Sequence, residues 1–275
     1  WMLLKILFYV IFIYMQNICL IIGAGAGVGG NVAKVFANDG YHVYLTRRSD
    51  ESGLKKLIDT INASGGKASG KLMNAIKDNT IEDLIHEVER DLGPINVVIY
   101  NLGAQIGNKK LEDLTLKQFD LGFKMGTLGI FRLCKTLFPY MVKRGGGTLI
   151  ATSSTASVRG NRGQHSHAAA MGARRMLCQT LNDEFSIKGI HIVHAIIDGA
   201  VDAPDTLGKM LGPVAYEKLR KEVGLEKDGL ILPEKIAESY LYLTKQHRSA
   251  WTHEIDFRAF SDQPWWNTAT DNYNF

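Results

Sequence analysis

The chain has 275 residues, 45% hydrophobic and 22% charged, with 28 glycines against 6 prolines, so it can bury a sizeable core and is neither disordered nor collagen-like. Its formal net charge of +4 is mild and its basic residues run no longer than pairs such as Arg47–Arg48, Lys109–Lys110 and Arg174–Arg175, which excludes a strong nucleic-acid-binding pattern. Cys19, Cys134 and Cys178 are far apart with no C-x-x-C spacing, and the His165/His167 pair lacks further ligands at suitable spacing, so no disulfide framework or metal site is expected and a reducing, cytoplasmic setting fits best.

Residues 6–15 form an apolar run behind Lys5, half of the about 20 residues that a membrane span needs. Residues 1–16 therefore read as an apolar extension, either a segment that packs on the domain or one foreign to the native protein. A membrane anchor through residues 1–15 is the alternative, and a signal-peptide core would leave no cleavage site before the first strand. From Ile18 onward, short apolar runs alternate with longer amphipathic ones, as when parallel strands are joined by crossover helices. Seven strands are expected, at residues 18–22, 42–46, 67–73, 95–100, 147–152, 191–197 and 253–257. No composition break marks a second domain, so one domain is expected over residues 17–260, with a tail at 261–275.

Between the strands, residues 31–38 read as helix. Ser49 or Asp50 is positioned to cap a helix starting near Glu51, and Asp78 or Thr80 one leading to Arg90, which Gly93-Pro94 then stops. Arg174 and Arg175, on a long helix after the fifth strand, read as surface or interface cations. Residues 204–229 form a helical excursion before a helix near Pro233, in which Leu207, Met210 and Leu211 suit either an apolar lid or ordinary core contacts.

The run Gly23-Ala24-Gly25-Ala26-Gly27-Val28-Gly29-Gly30 directly follows the first strand and opens a helix, the context a phosphate-binding turn needs. Missing side chains admit a pyrophosphate to the backbone, and the helix N-terminus offers unpaired N–H groups and partial positive charge. Two registers fit, Gly23-x-x-x-Gly27-x-Gly29 and Gly25-x-Gly27-x-x-Gly30. The second strand ends at Arg47, where an acid would favour NAD and a cation accepts the 2′-phosphate of NADP. The expected cofactor is therefore NADP, with NAD second. The fold class is α/β, a single-domain Rossmann-like doubly wound parallel sheet of about seven strands with helices on both faces.

Over residues 17–260 the motifs, in this order, resemble the short-chain dehydrogenase/reductase family. Gly23, Gly27 and Gly29 match its glycine turn, and Asn74 stands where the family has an Asp beside the adenine. Asn101 and Gly103 sit like part of its Asn-Asn-Ala-Gly, and Ser154 stands at its catalytic serine. Residues 197–204 resemble its Pro-Gly segment, with Asp198 in place of Pro and Ala203 where Thr is usual. The resemblance implies a cofactor held by Gly23, Gly27, Val28, Gly29, Arg47, Asn74, Asn101, Gly103, Met171, Gly199 and Val201, and a homo-dimer or homo-tetramer.

The family's Tyr-x-x-x-Lys falls on His167-Ala168-Ala169-Ala170-Met171, and its helix asparagine on Gly126. His167 is suited to general acid or base work, because an imidazole titrates near neutral pH. Met171 cannot replace an ammonium. The expected function is hydride transfer between NADP(H) and a carbonyl or alcohol substrate, with Ser154 and His167 as the catalytic pair. The alternative is a catalytically impaired dinucleotide-binding protein with a structural or sensing role.

Overall fold

The computed structural model describes residues 17–103 and 107–266; the expected apolar extension and the tail from residue 267 onward lie outside the described residues. Seven strands form one sheet: β1 (Ile18–Ile22), β2 (His42–Arg47), β3 (Lys67–Leu72), β4 (Ile95–Tyr100), β5 (Gly147–Ser154), β6 (Ile190–Ile197) and β7 (Glu254–Phe257). Their order is β3-β2-β1-β4-β5-β6-β7 and every pairing is parallel. All five residues of β1 are buried, as a strand covered on both faces requires.

Eight helices are used below: α1 (Val28–Asn38), α2 (Glu51–Ala63), α3 (Thr80–Asp91), α4 (Leu116–Phe123), α5 (Gly129–Lys143), α6 (His165–Phe185), α7 (Pro213–Leu219) and α8 (Pro233–Thr244). Alternation along the strands sends their side chains to opposite faces. Ile18, Leu20 and Ile22 pack with Leu84 of α3, Leu133 of α5 and Cys178 of α6. Cys19 and Ile21 pack with Val32 of α1, Leu54 of α2 and Ile236 of α8. The sheet is thus doubly wound, and the chain changes direction between β1 and β4, whose carboxyl ends open a crevice.

Asp50 caps α2, its side chain accepting from the Gly53 N–H at 3.0 Å. The start of α3 differs from expectation. Its N-cap is Asn79 in a left-handed conformation (φ 62°), with no side-chain cap, while Thr80 donates back to the carbonyls of Asn74 and Lys77. Asparagine tolerates that conformation better than most residues, which lets the chain turn out of the β3 loop. The excursion after β6 is helical in short pieces, with wide turns at Pro204–Gly208 and Arg220–Leu225 around α7. Met210 and Leu211 are exposed there, so they are not core contacts. Among the described residues no helix is long and apolar enough to cross a membrane.

Candidate active site

The glycine turn is built by close backbone approach. Gly23 has φ 98°, and both its N–H and that of Ala24 donate to the Thr46 carbonyl, tying the end of β1 to β2. Asn101, just past β4, donates its N–H to Ile22 O and its side-chain amide to Gly23 O, each at 2.9 Å. A Cβ on Gly29 would run into the Gly23 carbonyl and the Asn101 amide, so this register of the turn admits only glycine there. Gly25 faces open space, whereas Gly27, the N-cap of α1, lies under Ala203. No side chain caps α1 and no acidic residue stands in its first turn. Its N-terminal N–H groups therefore suit an external anion.

Beside the turn, a cavity of about 230 Å³ opens at the carboxyl ends of β1 to β3, lined by Gly23, Arg47, Met73, Asn74, Ile76 and Leu102 among others. Apolar walls with one amide and a cation at the rim suit the adenosine half of a dinucleotide. Arg47 is already engaged. Its Nε donates to Ala24 O at 2.6 Å, its Nη1 pairs with Asp50, and Asp205 lies 4.0 Å from its Nη2. The adjacent Arg48 is exposed and lines the same cavity.

Farther along the same sheet edge, Ser154 ends β5 and His167 is the third residue of α6. Ser154 Oγ and His167 Nε2 share a hydrogen bond of 3.1 Å, and the His167 ring is buried. Two contacts fix the start of α6. Ser166 Oγ donates to Phe119 O of α4 at 3.0 Å, and Thr127 Oγ donates to Ala170 O at 2.7 Å. Thr127 belongs to a π-helical turn, Lys124–Leu128, that joins α4 to α5. Met171 lies behind the pair, 1% exposed, clustered with Ala156 and Ala170 and within 3.8 Å of Ser153 Oγ. No charge is supplied from that position.

Arg174 is not a surface cation. It is 0% exposed, and its guanidinium donates to Gly126 O at 2.6 Å, to Leu102 O at 2.7 Å and to Thr152 O. It also lies over the Tyr100 ring, 5.1 Å from the centroid. Burial lowers its pKa from the ordinary arginine value, and burial likewise pushes the Tyr100 hydroxyl up to about 12. Seven residues beyond His167, Arg174 is on the same buried face of α6, and helical side chains lean back toward the N-terminus. That spacing was the available signal. Arg175 turns the other way, to a paired contact with Glu254 at 2.7 and 2.8 Å.

After β6 the chain passes Asp198, which is buried and accepts from the Trp265 N–H at 3.0 Å and from Arg258 at 3.4 Å. Arg159 donates to Trp265 O at 2.7 Å. Asp198 thus fastens residues 258–265 over the ends of β5 and β6. Gly199 has φ 150°, with Asp262 and Ile231 where a Cβ would stand, and Val201 bridges to Ile231. The structure brings Gly23, Arg47 and Asn74 around one cavity, with Asn101 bonded to Gly23, and Ser154 onto His167. Gly103 is exposed past β4 and Met171 is packed away from solvent. Sequence reasoning missed Arg174, Asp198 and Asp205, whose partners lie far away in the chain.

The short chain dehydrogenase family model matches residues 17–209. A 3-oxoacyl-(acyl-carrier-protein) reductase of Thermotoga maritima is 27% identical over 243 residues, which cover 87% of this chain and 94% of the relative. Among solved structures, a short-chain dehydrogenase from Rhodopseudomonas palustris has a TM-score of 0.73 at 27% identity, covering 89% of this chain and 99% of its own. An alcohol dehydrogenase from the archaeon Thermococcus sibiricus, solved in complex with 5-hydroxy-NADP, shares the fold with a TM-score of 0.76 at 24% identity, covering 90% and 99%. The match of the family model over most of the domain, on a seven-stranded parallel sheet with its glycine turn at the β1 end, places this chain in the short-chain dehydrogenase family of oxidoreductases.

Proposed function

We propose that the chain moves hydride between NADP(H) and a carbonyl or alcohol substrate, with Ser154 and His167 handling the substrate oxygen. The observation that carries this reading is the 3.1 Å hydrogen bond between Ser154 Oγ and His167 Nε2, on the sheet edge that also bears the glycine turn. Gly23, Gly27, Val28 and Gly29 would hold the diphosphate. Asn74 and Arg47 would hold the adenosine end, and Asn101, Gly103, Gly199 and Val201 would flank the rest, as the family resemblance implies. The bound cofactor supplies or accepts the hydride. In the reducing direction, Ser154 orients the carbonyl oxygen through its hydroxyl, and a protonated His167 delivers its proton from Nε2 to that oxygen as negative charge develops; oxidation of the alcohol runs the same transfer backwards.

The preference for NADP rests on Arg47 at the end of β2, with Arg48 beside it. A homo-dimer or homo-tetramer is supported by Leu116, Phe119, Phe123 and Phe131, large apolar side chains left exposed on α4 and α5.

A second reading has its own observation. Met171 is packed among alanines, so no ammonium stands one turn after His167, and the chain would then hold a dinucleotide without turning it over. One experiment separates the two. The purified chain is titrated with NADPH and NADH by fluorescence, then given NADPH with a broad carbonyl panel. Binding with oxidation by at least one substrate supports the oxidoreductase; binding with no oxidation across the panel supports the second reading.

A further inference from the structure

The wide turn Pro204–Gly208, which follows β6 by a short loop, rests on the glycine turn. Ala203 Cβ lies 3.0 Å from the point where a Cβ on Gly27 would stand, so the smallness of Gly27 serves this packing too. Two residues on, Asp205 Oδ2 accepts from the backbone N–H of Ala26 at 3.3 Å, across 179 positions of sequence. The same oxygen is 4.0 Å from Arg47 Nη2, and the other carboxylate oxygen is 3.4 Å from Lys209 Nζ.

Those are the surroundings an anion finds at such a turn: a backbone N–H at the mouth of a helix, a guanidinium on one side and an ammonium on the other. Helix α1 has neither a side-chain cap nor an acid in its first turn. Asp205 therefore supplies from a distant segment the negative charge that α1 does not supply itself. A carboxylate and a phosphate cannot share one N–H at that distance, and their like charges repel.

We propose that Asp205 is a determinant of dinucleotide affinity: its carboxylate takes the anion position of the glycine turn, and a dinucleotide diphosphate must displace it to bind. The inference rests on the dinucleotide reading above and adds to it an internal competitor. Lys209, on the next turn of the same segment, gives the displaced carboxylate a partner, so displacement exchanges Ala26 and Arg47 for Lys209 and solvent. Arg47 is released from one of its two carboxylates in the same step. The segment carrying Asp205 then moves outward when cofactor enters, the opposite of a lid that closes on it.

The test compares the full chain with D205N, which keeps the size of the side chain and removes its charge. NADPH and NADH dissociation constants are measured by fluorescence, and backbone hydrogen exchange is followed over residues 204–211. For D205N both nucleotides are expected to bind about tenfold more tightly, and residues 204–211 to exchange faster without ligand. In the wild type, NADPH is expected to speed exchange there while slowing it at residues 23–30. Unchanged or weaker binding by D205N, with the wild type binding normally, overturns the inference and leaves the dinucleotide reading standing. Failure of both chains to bind either nucleotide overturns both. Slower exchange of residues 204–211 on NADPH addition also overturns the inference, because it reports closure.

Discussion

Arg174 Nε donates to the carbonyl oxygen of Gly126 at 2.6 Å, and through that bond a buried cation on α6 holds the π-helical turn between α4 and α5. The same guanidinium reaches Leu102 after β4 and Thr152 in β5, two residues before Ser154. Among the described residues, no carboxylate pairs with it. Three chain segments bordering the candidate active site thus converge on one side chain. Arg174→Met should remove the side-chain donor from three carbonyls, one buried at Gly126 and two partly buried at Leu102 and Thr152, each loss costing up to about 1 to 3 kcal/mol and partly offset because a charge no longer has to be desolvated. The expected net loss is about 3 kcal/mol, read as a lower urea midpoint at unchanged slope, with Arg174→Lys recovering part of it. A midpoint equal to wild type in Arg174→Met would show that these bonds do not hold the region.

Arg47 stands between two demands, the carboxylates that engage it here and the 2′-phosphate that would distinguish NADP. A charge-assisted hydrogen bond is worth about 1.5 to 3 kcal/mol, so Arg47→Ala should weaken NADPH binding by about 10- to 100-fold and leave NADH within a factor of three. Asp50→Ala, which frees Arg47, should tighten NADPH alone. Equal losses for NADPH and NADH in Arg47→Ala would move Arg47 from cofactor choice to support of the turn through Ala24.

Gly29 and Gly25 should separate folding from binding. A methyl on Gly29 meets the Gly23 carbonyl and the Asn101 amide, whereas one on Gly25 meets nothing within 4 Å. Gly29→Ala is therefore expected to lower the melting temperature and abolish dinucleotide binding together. Gly25→Ala should keep the wild-type melting temperature while its NADPH Kd rises about tenfold or more, since the added methyl stands where the backbone must approach phosphate. Differential scanning fluorimetry with and without NADPH reads both.

His194 makes stability fall in acid. Its side chain is fully buried, its Nδ1 lies 3.0 Å from Glu254 Oε2, and burial pushes the imidazole down to about 4. Between the ordinary histidine value of 6.5 and about 4, the unfolded chain binds a proton that the folded chain does not, so stability decreases as pH drops through that window. At 1.36 kcal/mol per pH unit, the full loss is about 3 kcal/mol. Burial lowers His42 and His191 as well, with the same sign. Glu254, held low by Arg175, adds stability that is lost only as pH falls below the ordinary glutamate range. Urea midpoints from pH 7.5 to 4.5 should decline steadily, and His194→Gln should flatten the decline; an unchanged slope in that variant would exclude His194 as a source.

β1, β4 and β6 were the most legible strands because each is a short apolar run bounded by turn residues, and a strand buried on both faces has little freedom to be anything else. The observed ends of all seven strands fall within two residues of those read from the sequence, β5 extending to Ser154. The left-handed Asn79 was not legible, because cap preference selects residue types and not the direction in which a loop arrives. Arg174 was misread on its charge, although its seven-residue spacing from His167 put it on the buried side of α6. Its acceptors are backbone carbonyls, which carry no residue-type signal at all. Asp205 was hidden for a related reason, since its N–H partner lies 179 positions away. The Ser154–His167 pair could be found because its thirteen-residue spacing is a property of the strand-to-helix connection that the family shares.

The most direct test of the account is NADPH oxidation by the wild type and His167→Phe with the best substrate from a carbonyl panel, alongside the NADPH Kd of each. General acid catalysis contributes about 10²- to 10⁴-fold, so the variant should lose at least about 100-fold in kcat while its Kd stays within a factor of two. Equal kcat in the two proteins, or a wild type that binds NADPH and oxidises it with no member of the panel, would contradict the role assigned to the Ser154–His167 pair.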